Sequence, residues 1–143
     1  MTPNRIVAAA GAVVFGAVGA WGLVASLDPA VDQSAGSLLA GALSTNLALA
    51  GVHLSIGIVL AWGALRGRRL TRHLNVAVGA LLLGLGLFGL FAVGTPANLP
   101  ALNGFGNLLH FAASTVLLAT GLGAPPTHAD AKAAGANLQS DIS

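Results

Sequence analysis

Four stretches of the chain stay apolar for about twenty residues each, and short polar segments separate them. They run from about Ile6 to Leu27, Asn46 to Leu65, Leu74 to Gly94 and Gly104 to Ala124, and none contains Asp, Glu, Lys or Arg. A helix of roughly 20 residues crosses a bilayer core about 30 Å thick. In lipid, a helix also satisfies every backbone N–H and C=O within the segment. The pattern therefore predicts four transmembrane helices.

The interruptions differ in character. Asp28-Pro29 ends the first run, and a loop carrying Asp32, Gln33 and Ser34 continues to about Thr45. Arg66-Gly67-Arg68-Arg69-Leu70-Thr71-Arg72-His73 joins the second run to the third. Thr95 to Asn103 is uncharged and carries Pro96 and Pro100. Pro125-Pro126 breaks the last helix. The division expected is a four-span domain over residues 1–124 and a disordered cytoplasmic tail over 125–143, which is polar and rich in Ala and Gly.

The runs repeat. Asn46 and His53 open the second as Asn103 and His110 open the fourth, seven residues apart in each. Gly11 and Gly16 in the first run are matched to Gly79 and Gly84 in the third, and Trp21-Gly22 to Phe88-Gly89. The fold class expected is all-α, an integral membrane four-helix bundle made of two tandem helical hairpins. Each hairpin begins and ends on the same side, so a pseudo-twofold axis along the membrane normal follows. The repeat also makes the first run a retained helix. A signal-peptide core has about 7–15 apolar residues, and this run is longer.

Charge assigns an orientation. With four crossings, Arg5, the cluster Arg66, Arg68, Arg69 and Arg72, and Lys132 share one side, whereas Asp28 and Asp32 lie on the other. The positive-inside rule then places both termini in the cytoplasm and makes the cluster a topology anchor. The expected location is the plasma membrane. Trp21 and Trp62 read as interfacial belt residues.

Composition narrows the function classes. Charged residues make up 7% of the 143-residue chain and hydrophobic ones 55%, against about 25% charged in soluble domains. Such a surface is suited to lipid. The isoelectric point near 10.6 does not indicate nucleic acid. The chain has only six Lys and Arg, and five of them flank apolar runs instead of forming a phosphate-binding face. There are no cysteines, which excludes disulfides and thiolate chemistry. No carboxylate pair, nucleophile–base set or cofactor fingerprint is present, so no enzyme is expected.

The polar residues within the runs remain. Asn103, Asn107, His110 and Ser114 recur at three- and four-residue spacing and share a helix face, as do Asn46, His53 and Gly57. Small and polar residues are what membrane helices place against one another. Gly11, Gly16, Gly57, Gly79 and Gly84 are the expected packing positions, with Ala12, Ala20 and Ala80 beside them. His53 and His110 should lie at one level, roughly 10 Å in from the helix starts at 1.5 Å per residue.

Three readings of the His pair compete. Each imidazole can bond a neighbouring helix; the two can ligate haem b, for which bis-histidine axial ligation is one arrangement; or they can form a site for a lipid, quinone, small solute or proton. A metal site is not expected, because no carboxylate lies in any run. His73 and His128 have no evident partner.

The segment Asn46 to Gly57, and Asn107-Leu-Leu-His110 with the apolar run after it, resembles short bacterial membrane proteins of the domain of unknown function 4383 family. The resemblance covers about residues 5 to 124. It implies four helices with a recurrent Asn…His segment and assigns no activity. Two departures are Ser114 in the place of Gly57 and the lack of acidic residues beside His110. The function expected is a non-enzymatic structural or accessory membrane subunit without a cofactor. A haem- or ligand-binding protein is the alternative, and a small transporter the third. Expected partners are the lipid bilayer and a second copy or another membrane protein, with no nucleic acid.

Overall fold

The computed structural model describes residues 1–123. Pro3, whose fixed φ suits a first helical turn, opens α1 (Pro3–Ser26). A loop with two short strands follows, β1 (Ser37–Leu39) and β2 (Leu43–Thr45). Then come α2 (Leu47–Leu65), α3 (Arg68–Ala92) and α4 (Gly104–Leu122). All four helices are long and apolar enough to cross a membrane, which makes this a multi-pass membrane protein. The expected tail, residues 125–143 with Lys132 and His128, lies outside the described residues.

Two boundaries differ from the sequence reading. The loop after α1 contains an antiparallel hairpin pairing Ser37 with Thr45 and Leu39 with Leu43. Its turn places Ala40 and Gly41 at φ +49° and +71°, the left-handed pair that favours tight hairpins. The basic segment is not a loop. α3 begins at Arg68, and only Arg66 and Gly67 link it to α2. Arginine is a good helix former, so the helix continues past the apolar run. Thr71 secures the turn by donating its hydroxyl to Gly63 O at 2.7 Å.

The chain packs as two hairpins, α1 on α2 and α3 on α4, with thinner contact between them. Ala8, Phe15, Ile56, Leu60, Val78, Leu82 and Leu117 form the buried core. We call the end carrying the starts of α2 and α4 the loop end and the opposite one the arginine end. At the arginine end each hairpin is clasped alike. Arg5 Nε donates to Ala64 O at 2.7 Å, and Arg72 Nε donates to Gly121 O at 2.8 Å.

These clasps set the register of the repeat. Arg5 maps to Arg72, a shift of 67 residues, whereas Ala64 maps to Gly121, a shift of 57. The shift of 67 also takes the buried Ala8, Phe15, Gly19 and Gly22 onto the buried Asn75, Leu82, Gly86 and Gly89. Trp21-Gly22 and Phe88-Gly89 are therefore equivalent, as read from the sequence. The Gly11/Gly79 and Gly16/Gly84 matches are one residue out of register. The ten extra residues of the first half lie in the strand-bearing loop.

Glycine contacts correct the packing list. A β-carbon on Gly57 would stand 2.5 Å from Gly16 N, and one on Gly19 would collide with the Leu54 backbone. Gly11 lies against Leu60, and Gly79 against Leu117 and Leu118. Gly84 is exposed with open space beside it, because it stands on the outward face of α3. Ala20 and Ala80 are exposed as well. Gly86 and Gly89 hold the inward positions instead.

Candidate functional site

The seam between the hairpins gathers most of the buried polar side chains. Asn46 caps α2, its Oδ1 accepting from Leu49 N at 2.9 Å, and Asn103 caps α4, accepting from Gly106 N at 2.9 Å. An Asn at this position satisfies one of the orphan N–H groups of a first helical turn. Each amide then reaches across to the other hairpin. Asn46 Nδ2 donates to Leu99 O at 2.6 Å, and Asn103 Nδ2 donates to Ala42 O at 2.7 Å. The 57-residue shift carries Asn46 to Asn103 and Ala42 to Leu99. The two hairpins thus exchange the same bond reciprocally, as a pseudo-twofold axis between them requires.

One departure from that symmetry is local. In the longer loop, Gln33 O also accepts from Asn46 Nδ2, while its side chain accepts from Leu47 N and donates to Ser26 O. Nearby, Asp32 Oδ1 accepts from the N–H and hydroxyl of Ser34. The hydroxyl bond is the larger cause that holds this carboxyl below its ordinary pKa.

Two turns into the bundle, His53 Nε2 and His110 Nε2 are 3.0 Å apart. Equivalent atoms in direct contact must flank the axis that relates them, with their midpoint on it. Both residues are buried, at 1% and 0% exposure, and Phe15 lies beside His53 with ring centroids 5.5 Å apart. The contact needs one ring protonated on Nε2 and the other accepting there. Nδ1 of each ring has no hydrogen-bond partner among the described residues. Gly19 packs directly on the His53–Leu54 backbone and leaves α1 and α2 no gap there.

The remaining predicted residues lie on the same face. Asn107 is buried against the backbone of Gly89, with its Oδ1 unpartnered among the described residues, and Ser114 is buried one turn beyond His110. Asn46 and Asn103 are caps at the helix starts, at the loop end of the stripes. At the arginine end, a further tie crosses the seam. Asn75 Nδ2 donates to Asn4 Oδ1 at 2.9 Å and to Asn4 O at 3.1 Å. Sequence reasoning passed over both residues. Asn75 could have been found as the one amide in the third apolar run. Asn4 precedes the first run and carried no such signal.

The cap and the cross-seam bond of Asn46 can be separated. Asn46→Ala removes both and is expected to cost about 1–3 kcal/mol, the sum of a lost cap and lost hydrogen bonds. Asn46→Ser keeps a capping oxygen and should lose roughly half as much. Unfolding in mixed micelles measures both. Equal losses would show that the cap contributes nothing, and an Asn46→Ser variant as stable as wild type would show that the cross-seam bonds contribute nothing.

Around the seam, a cleft of about 870 Å³ at the loop end is lined by Gln33, Asn46, Thr95 and Asn98, among others. These four side chains are already engaged in the loop bonds. No group of three or more His, Cys, Asp or Glu is placed to hold a metal ion among the described residues.

The chain belongs to the family described as Domain of unknown function (DUF4383), whose model matches residues 5–123. No curated protein and no solved structure matches it.

Proposed function

For this member of the DUF4383 family, we propose a non-enzymatic structural or accessory role in the plasma membrane. In this reading the Asn and His residues of the seam fasten two hairpins into one rigid unit. The observation that carries it is the direct His53–His110 contact on the pseudo-twofold axis. A bis-histidine haem would need an iron atom and a macrocycle between those nitrogens, and here they are at hydrogen-bond distance. Below and above that contact, Asn75–Asn4 and the reciprocal Asn46 and Asn103 bonds span the same seam. Polar ties of this kind are how membrane helices compensate for the lack of a hydrophobic drive between them.

The orientation proposed has both termini in the cytoplasm. It is supported by the position of Arg5, Arg66, Arg68, Arg69 and Arg72 at the arginine end and of Asp28 and Asp32 in the α1–α2 loop at the other. The partner in this reading is a second copy or another membrane protein, with lipid around the rest.

The experiment is an absorption spectrum of the purified protein, oxidised and reduced. The expected result is a colourless protein whose His53→Ala and His110→Ala variants unfold at lower denaturant and show no spectral change. A Soret band abolished in both variants would replace this reading with a small membrane cytochrome.

A further inference from the structure

The pseudo-twofold axis generates two lateral grooves between the hairpins, one on each side of the bundle. The groove between α2 and α3 is lined by Ser55, Ile56 and Val59 on one wall and Leu74, Ala77 and Leu81 on the other. The shifts of 57 and 67 residues carry these six to Ala112, Ala113, Val116, Val7, Ala10 and Val14, which line the groove between α1 and α4. The frame is thus duplicated, and each groove is an internal control for the other.

Two differences distinguish them. The α2–α3 groove has a volume of about 620 Å³, against about 280 Å³ for its mate. It extends further toward the loop end because Ala48 and Gly51 stand where the mate has Phe105 and Leu108. The second difference is charge. Arg66, Arg68 and Arg69, all exposed, lie at the arginine end of the α2–α3 groove. Their symmetry equivalents at the mate are Gly123, Met1 and Thr2, none of which has a basic side chain. Arg66 is further held over the Trp62 ring, 5.7 Å from its centroid. Arg5 and Arg72, by contrast, are engaged with helix carbonyls.

Among the described residues, only one of the two grooves therefore combines an enlarged apolar channel with basic side chains beyond its end. The close approach of Gly63 to Leu74 closes the channel on that side. Measured from the lining residues, Arg68 lies six positions from Leu74 along α3 and Arg66 seven from Val59 just past the end of α2, roughly 9–11 Å at 1.5 Å per residue. A phospholipid bridges such a gap with its glycerol and first chain carbons, leaving its phosphate level with the guanidinium groups. We propose that the α2–α3 groove holds one acyl chain of an anionic phospholipid whose headgroup is bound by Arg66, Arg68 and Arg69. A zwitterionic lipid fits the channel equally and lacks the net charge. A topology anchor alone accounts for the cations but not for the channel above them.

The test is native mass spectrometry of the detergent-purified protein equilibrated with palmitoyl-oleoyl phosphatidylglycerol or the matching phosphatidylcholine. Wild type is expected to retain one phosphatidylglycerol in preference to phosphatidylcholine. Arg68→Gln with Arg69→Gln should weaken that preference by about fivefold per arginine, as expected for a cation near an anionic headgroup. Gly51→Leu, alone or with Ala48→Phe, copies the narrow mate while leaving every cation in place, and should abolish one-to-one retention. Ala112→Phe in the α1–α4 groove should leave it unchanged. Helical circular dichroism verifies that each variant is folded, and Gly51 has open space for the added side chain. Equal retention of both lipids by wild type would overturn the proposal. So would phosphatidylglycerol retention that survives Gly51→Leu, which means surface attraction only, or a lipid-free dimer that covers the groove.

Discussion

Gly19→Ala is expected to be among the most damaging single-methyl changes in the described chain. The added carbon would meet the backbone of Leu54 and His53, and backbone atoms cannot rotate out of the way as a side-chain end can. α1 and α2 would have to separate, and α1–α2 is the most extensive helix contact in the fold. Overpacking of this kind costs about 1–3 kcal/mol and sometimes more. The symmetry supplies graded controls. Gly86 is the equivalent of Gly19 in the second hairpin, but there the atoms nearest the new methyl would be those of the Phe111 ring, at 3.0–3.2 Å. A ring can yield by a few tenths of an ångström, so Gly86→Ala should cost distinctly less than Gly19→Ala. Gly84→Ala points into open space and should cost nothing; replacing Gly by Ala in a helix gains up to about 1 kcal/mol. Unfolding titrated with sodium dodecyl sulfate in mixed micelles gives the ranking. A Gly84→Ala loss equal to that of Gly19→Ala would contradict the register of the repeat itself.

The second large effect is the coupling between His53 and His110. Replacing either one with Leu leaves the other imidazole buried with no partner on either nitrogen among the described residues. Stranding a buried polar group costs about 1–3 kcal/mol. Replacing both removes the bond and also the two Nδ1 atoms that have no partner among the described residues. The double variant should therefore be little worse than either single one, and it can be more stable. Coupling energies of interhelical hydrogen bonds measured inside membranes average about 0.6 kcal/mol and reach about 1.7. The pair should fall in the upper part of that range, because both rings are fully buried and their contact straddles the pseudo-twofold axis. Strictly additive losses in the double-mutant cycle would mean that the rings do not share a proton, and the seam would then rest on the Asn ties alone.

Both predictions depend on a register that the sequence carried only in part. The Asn-x6-His openings and the Trp21-Gly22 and Phe88-Gly89 pairs are visible as strings, and they are true equivalents. Gly11 and Gly79 looked equivalent for a weaker reason: glycine is frequent here, with 20 in the chain, so five-residue spacings recur by chance. The Arg5 and Arg72 clasps decide the register. They were invisible beforehand because each arginine bonds a carbonyl on another helix, and any residue type supplies a carbonyl. The same holds for Asn46 and Asn103, whose cross-seam acceptors are the backbone oxygens of Leu99 and Ala42.

What the amino-acid order determined by itself is the local part. Apolar runs long enough to cross a bilayer set the number of helices, because in lipid the backbone must bond within each segment. Asn before an apolar run marks the starts of α2 and α4, and prolines mark the breaks at the loop end, all through interactions within a few residues; the arginine cluster, read as a loop, is mostly helical. Seven-residue spacing likewise placed Asn and His on one face. What only the tertiary structure decided is which faces meet. That the two imidazoles touch, that Gly19 and not Gly84 takes the close approach, and that one groove is wide and charged while its mate is not, all depend on how the hairpins are rotated against each other. That rotation is set by contacts between residues more than fifty positions apart, among them Asn4–Asn75, His53–His110 and Asn46–Leu99. Helical periodicity fixes the angle of a residue around its own axis and contains nothing about the neighbouring one.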